Sequence, residues 1–234
     1  MSWDAIVRKV TPYVVKIETQ DGWGTGFLCL YNEDQSWGGI ATALHVVAQA
    51  DRWQQPIRIT HHSSGKTLLL KEGERVILPG LNGADSAVLL FSGPLQLDLP
   101  KQLIDLFPTQ STLAIGSELG WLGFPAIASG ELCFFSGKVS ASLNSSHAYL
   151  IDGVAINGVS GGPVFYHTGS ETQIVGAITA YRANKTTGDS LPGLAIAEDV
   201  THLHDVDALV KARDEENRQN TLKAPKSGST LLTE

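Results

Sequence analysis

Cysteine is scarce: the 234 residues hold only Cys29 and Cys133. Two thiols are too few for a disulfide scaffold or a four-thiolate zinc site. Both stand in apolar runs that read as buried strands, where a free cysteine behaves as a small hydrophobe. A reducing, cytoplasmic compartment is the expectation. Basic charge is short as well. Seventeen Lys and Arg face 24 Asp and Glu, a formal net charge of −7, so the long-range attraction that phosphate backbones or anionic lipids require is missing. This disfavours nucleic acid and membrane surfaces as partners. No stretch approaches the run of about 20 apolar residues that crosses a bilayer, and MSWDAIVRKV has no apolar core behind a basic head. Neither a secretion signal nor a transmembrane segment is expected. Charged residues reach 18% against 42% hydrophobic, a balance that excludes a mostly disordered chain.

What is plentiful is punctuation. Twenty-four glycines and 10 prolines separate short apolar stretches, as an antiparallel β protein needs at its many reversals. Strands are expected at residues 13–19, 24–31, 38–44, 56–60, 66–70 and 86–91, all rich in β-branched or aromatic residues. A second set is expected at 118–124, 131–141, 148–153, 162–166, 173–182 and 192–198. Between them, 99–112 reads as a connector without periodicity. Helices are expected only at the ends. Trp3 to Val10 is amphipathic, and Leu203, Val206, Leu209 and Val210 recur at three-to-four spacing after a Thr201 cap. The expected organisation is one domain over 1–215, with a first lobe at about 11–98, a second at about 113–198 and a closing helix at 200–215. Residues 216–234 read as a flexible tail or linker stub.

NGVSGGPVF (157–165) is the most informative segment. Its serine, Ser160, is flanked by Gly158, Gly161 and Gly162, where backbone must bend sharply and approach a bound group. Serine at its own pKa is a poor nucleophile, so the segment carries chemistry only if an imidazole takes its proton and a carboxylate orients that imidazole. His45, at the end of the apolar run GGIATAL, and Asp85, immediately before SAVLLF, are the candidates. They place base and acid in the first lobe and the nucleophile in the second, with a cleft between.

Several segments resemble, in order, the trypsin-like (chymotrypsin-fold) serine proteases of the HtrA/DegP-type branch. DAIVRKVTPYVVKIET resembles that branch's opening helix and first strand, GTGFL its G-S-G-F strand, and ATALHVV its T-N-A-H-V-V segment. DSAVLLF is similar to the acid strand D-L-A-V-L, GWLGFP to the G-N-P turn, FFSGKVS to S-G-I-V-S, and GVSGGPVF to G-N-S-G-G-P-L. PGLAIAEDV resembles the final strand. The resemblance implies an all-β fold of two antiparallel barrels with short terminal helices, and a serine endopeptidase with His45, Asp85 and Ser160 as its triad. It also implies an oxyanion hole from the Gly158 and Ser160 N–H groups, and neither metal nor organic cofactor. It maps an uncharged specificity pocket onto Val154, Ala155, Thr179, Ala180, Tyr181 and Gly193, with Arg182 nearby, and a peptide-accepting edge onto 178–181.

Three departures qualify the resemblance. Val159 stands where digestive relatives carry the aspartate that pairs with a newly cut N-terminus, so that activation is unavailable; loop 156–159 is expected to be ordered by packing or by a partner. Cys29 has no second cysteine near His45 to form the histidine-loop disulfide. No PDZ domain follows the closing helix, so a regulatory subunit or a fused domain beyond the tail is expected beside a protein or peptide substrate, with the oligomeric state left open. A silent peptide-binding module with the same fold is the other reading. GVSGG also fits the G-x-S-x-G elbow of an esterase, with Asp199 and His202 or His204 as partners, but that fold needs a helix directly after the serine, and PVFY reads as a strand. SSGKT (63–67) lacks the first glycine of a phosphate loop, and His202 and His204, two apart on a helix, do not share a face for a metal.

Overall fold

The computed structural model describes residues 2–128, 130–169, 171–181 and 194–223. Among them, thirteen strands form two antiparallel systems. The first comprises β1 (Val14–Thr19), β2 (Gly22–Tyr31), β3 (Trp37–Ala43), β4 (Ile57–His61), β5 (Thr67–Leu70), β6 (Arg75–Pro79) and β7 (Ser86–Ser92) in the order β5-β4-β1-β2-β3-β7-β6. The second is a closed barrel, β10-β13-β12-β11-β8-β9, built from β8 (Glu118–Gly123), β9 (Cys133–Leu143), β10 (Ala148–Asp152), β11 (Pro163–Thr168), β12 (Glu171–Tyr181) and β13 (Leu194–Asp199).

The two systems match the expected two-barrel fold, the first as a half-barrel whose edge strands β5 and β6 share no ladder. One buried side chain bridges that gap. Arg75, first residue of β6, donates from Nη1 to the carbonyl of Leu70, last residue of β5, at 2.9 Å, and from Nη2 to the carbonyl of Ala50 at 3.2 Å. Strand β6 itself was not expected. As an edge strand paired only with β7, it tolerates Pro79 and leaves Val76 exposed, and its apolar run is only the three residues 76–78, without alternation. A nine-residue helix, α2 (Leu44–Arg52), follows β3 in the middle of the lobe, although helices were expected only at the ends.

Helix α1 (Trp3–Val10) matches expectation, burying Ile6 and Val10. Helix α3 runs from Thr201 to Lys223, well past the expected end at residue 215. Leu203 and Val206 are buried and Val210 half-buried, whereas Leu209 is exposed, so the apolar stripe is narrower than its spacing suggested. Its first turn is capped by Asp199, whose carboxylate accepts the Thr201 N–H, and not by the Thr201 side chain. Beyond residue 210 the helix is carried by charge pairs one turn apart, Lys211 with Asp207 (2.6 Å), Arg213 with Glu216 (3.0 Å) and Arg218 with Glu215 (2.7 Å). Arg218 also reaches Glu33 of the β2–β3 loop at 3.2 Å. The remaining tail, 224–234, lies outside the described residues.

Each terminal helix reaches across to the lobe it does not belong to. Trp3 of α1 packs its ring against Phe134 and Phe165 of the barrel and donates to Glu118 at 3.0 Å. From α3, His202 holds the Leu78 carbonyl of β6 at 3.0 Å, and His204 the Phe107 carbonyl of the connector at 2.9 Å. Both imidazoles are structural ties, and among the described residues no group of three His, Cys, Asp or Glu is placed to hold a metal. A continuous apolar seam, including Val10, Phe27, Leu122, Phe165 and Leu203, joins the lobes. Cys29 is buried in it and burial pushes its thiol up, whereas Cys133 is only half-buried, contrary to the expectation of two core thiols. No described helix is long and apolar enough to cross a membrane.

Candidate active site

His45 is the second residue of α2, and Asp85 closes the loop before β7; β3 and β7 are paired along their full length, Ala43 opposite Ser86, which brings the two residues together. Ala43 offers α2 no side-chain cap. Asp85 supplies one from a distance. Its carbonyl accepts the Leu44 N–H at 3.0 Å and its Oδ1 the His45 N–H at 2.9 Å, satisfying donors that a helix start leaves free. Its Oδ2 lies 2.6 Å from His45 Nδ1. A carboxylate only accepts, so the ring proton sits on Nδ1 and Nε2 is left as a base. The bond to Asp85 raises the imidazole pKa, burial lowers it and the Asp85 charge raises it further, with a net upward shift. The His45 side chain is 50% exposed, open enough to meet a substrate.

Ser160 is set by two successive turns. Val159 N–H donates to the Ile156 carbonyl at 3.0 Å and Gly162 N–H to the Val159 carbonyl at 2.9 Å. The third residue of each turn is a glycine with positive φ, Gly158 at +92° and Gly161 at +85°. A Cβ at Gly158 would strike the Phe124 carbonyl, and at Gly161 the Thr25 carbonyl, so both positions need glycine for conformation and for space. Ser160 stands second in the later turn. Ala126 N–H holds the Asn157 carbonyl at 2.7 Å, and in a planar trans peptide this turns the Gly158 N–H the opposite way. Among the described residues neither the Gly158 nor the Ser160 N–H has an acceptor. Val159 is fully buried in the barrel core against Gly123, so apolar packing anchors the loop at the position where an ion pair is absent.

The loop is also gripped from the first lobe. Thr25 of β2, fully buried, donates from its hydroxyl to the Gly158 carbonyl at 2.8 Å, accepts the Phe124 N–H at 3.1 Å, and donates its own N–H to the Ser160 carbonyl at 2.8 Å. Ser160 and His45 then line one cavity of about 180 Å³ together with Ala155, Ile156, Asn157, Ile178, Thr179 and Ala180. No hydrogen bond joins the Ser160 hydroxyl to His45 among the described residues.

A barrel and a seven-stranded sheet with this cleft between them resemble known structures. A serine endoprotease from Yersinia pestis superposes with a TM-score of 0.64 at 20% identity, over 90% of this chain and 66% of that one. The Rv3671c protease of Mycobacterium tuberculosis H37Rv, solved in an inactive form, superposes at 0.59 and 18% identity over 88% and 92%. A serine-to-alanine mutant of Rv3671c, also in an inactive form, gives 0.59 and 18% over 88% and 89%. The fold is that of the trypsin-like serine proteases. No protein-family model matches the sequence, and no curated protein matches it.

Some residues of the expected specificity pocket lie at this cavity. Ala155, Thr179 and Ala180 line the cavity; Val154 does not, and is exposed. Gly193 and Arg182 lie outside the described residues, as does the side chain of Tyr181. Ile156, Asn157 and Ile178 line the cavity without having been expected. Thr25 was legible only as a letter in GTGF, since nothing in a sequence says that a hydroxyl in one lobe holds a loop of the other.

Proposed function

We propose that the chain is a serine endopeptidase acting through His45, Asp85 and Ser160. The observation that carries this reading is the grouping at one cleft of a carboxylate-held imidazole, a serine at the head of a double-glycine turn, and two N–H groups without acceptors. In this reading Ser160 Oγ attacks the scissile carbonyl while His45 Nε2 takes its proton. Asp85 keeps the Nδ1 tautomer and stabilises the imidazolium. The Gly158 and Ser160 N–H groups receive the oxyanion; such donors are worth roughly 3–4 kcal/mol each in the transition state. Protonated His45 then passes its proton to the leaving amine, and water hydrolyses the acyl-enzyme by the same base. The chain needs no cofactor in this scheme.

Small size and an uncharged lining of the cavity favour a small or medium apolar side chain before the cut. The β11 ladder starts with Pro163 opposite Ala177, so from Thr179 onward β12 pairs only with β13 among the described residues. Its other edge can accept an extended peptide by strand addition. The second reading, a catalytically silent peptide-binding module, is favoured by one observation, the missing hydrogen bond between Ser160 and His45. Catalytic bonds that are loose before substrate binds are compatible with the first reading. A fluorophosphonate probe separates the two. The expected outcome is labelling of the wild type and none of Ser160→Ala; an unlabelled wild type, alone or with peptide substrate, leaves the binding module.

A further inference from the structure

The acid of the proposed triad is held from outside its own lobe. The Asp85 N–H donates to Oε1 of Glu198 on β13 at 2.6 Å. Loop residues Leu81–Gly83, which precede it, are exposed; Asp85's own N–H and carbonyl are held by this bond and by the Leu44 N–H, and the Gly80 N–H holds the Ser86 carbonyl beside them at 2.7 Å. Glu198 and loop residues Leu81–Ala84 line one hollow of about 350 Å³. A carbonyl would hold the N–H without adding charge. Here a half-buried carboxylate does so beside Asp85 itself, a like-charge neighbour, and an arrangement that costs free energy needs a compensating return.

We propose that Glu198 is a positioning residue for the triad: its carboxylate clasps the Asp85 backbone across the seam between the lobes and so holds Asp85 in place against the His45 ring. The consequence for catalysis rests on the peptidase reading; the clasp does not. Other groups face Glu198 from each neighbouring element: Asp85 from the loop before β7, Asp199 from its own strand, His147 from the turn before β10 at 3.7 Å from Asp199, and His202 and Asp205 from α3. Burial raises the Glu198 pKa, the Asp85 N–H lowers it, and the Asp85 and Asp199 charges raise it. Falling pH therefore discharges Glu198 earlier than an ordinary carboxylate, and the charge-assisted part of the clasp goes with it.

Two variants of the full chain test this. Glu198→Gln keeps an acceptor oxygen without charge; Glu198→Ala keeps neither. NMR titration of the His45 ring is read first, because it needs no turnover. The expected result is a lower His45 pKa in Glu198→Ala, where the Asp85 bond that raises it loosens and the Nδ1–H resonance broadens away, with both kept close to wild type in Glu198→Gln. For peptide cleavage, kcat falls about tenfold in Glu198→Ala with KM within about twofold, the scale of one lost charge-assisted bond, and Glu198→Gln recovers most of it. The acid limb of kcat/KM moves to lower pH in Glu198→Ala. A His45 pKa and Nδ1–H signal identical to wild type in Glu198→Ala overturns the proposal; if that variant does not fold, the same identity in Glu198→Asp, whose carboxylate is one methylene shorter, does so. Wild-type protein that neither cleaves nor takes the fluorophosphonate sinks the peptidase reading alone, since the titration still decides the clasp.

Discussion

At the scale of residues, Asp85 does two jobs with one carboxylate, capping α2 through Oδ1 and holding the His45 ring through Oδ2. The held ring has a raised pKa, and the base must be neutral. The kcat/KM of the wild type should therefore rise with pH through a pKa above the ordinary imidazole range. The same shift makes the His45–Asp85 pair stabilise the fold below the unfolded imidazole pKa and lose that contribution as pH climbs through the raised value. With the ring half exposed this stability effect is small. Asp85→Asn removes the charge and the tautomer control, and roughly a 10⁴-fold drop in kcat is expected, with the His45 pKa falling. A pH–rate profile of both proteins checks this; a flat profile across the imidazole range, or an Asn variant as active as wild type, contradicts it.

Among the elements, Arg75 ties together one corner of the open first sheet. Arg75→Met keeps the stem and removes both bonds, taking the guanidinium donor from the Leu70 carbonyl and leaving the Ala50 carbonyl to the Gln55 N–H at 2.7 Å. Its Nε has no partner among the described residues, so Met regains something there. A net destabilisation of about 1–3 kcal/mol is expected from urea unfolding, with fluorophosphonate labelling unchanged at room temperature; an unmoved midpoint would mean that the corner is held otherwise. The elements that the sequence hid share a physical reason. RVILP (β6) lacks alternation because an edge strand has one partner and tolerates Pro79, and the end of α3 has no apolar stripe because side-chain ion pairs carry it. Strands such as β1 and β7 were legible because burial imposes β-branched and apolar residues on them. The site divides in the same way. His45, Asp85 and Ser160 announce themselves through the turns and strand ends that frame them, and the structure brings His45 to Asp85 and to the cavity that Ser160 lines. Thr25, Ile178 and Glu198 act by contacts between distant segments, which leave no local pattern to read.

Over the whole molecule, the lobes meet through few polar ties at the cleft, and Thr25 is the most heavily used. Thr25→Val preserves shape while deleting the hydroxyl that serves Gly158 and Phe124. The expectation is a loss of roughly 1–3 kcal/mol in stability, together with slower fluorophosphonate labelling at temperatures where the variant remains folded. Labelling at the wild-type rate would show that the Ser160 loop keeps its shape without help from the first lobe. The crossed terminal helices carry a wider consequence. Because α1 braces the barrel and α3 braces the sheet, cutting the gene within 99–112 hands each fragment the other's brace and strips it of its own. Two polypeptides made that way should be sticky apart and should recover a working cleft when mixed, so this architecture lends itself to complementation but not to excision of a free-standing half.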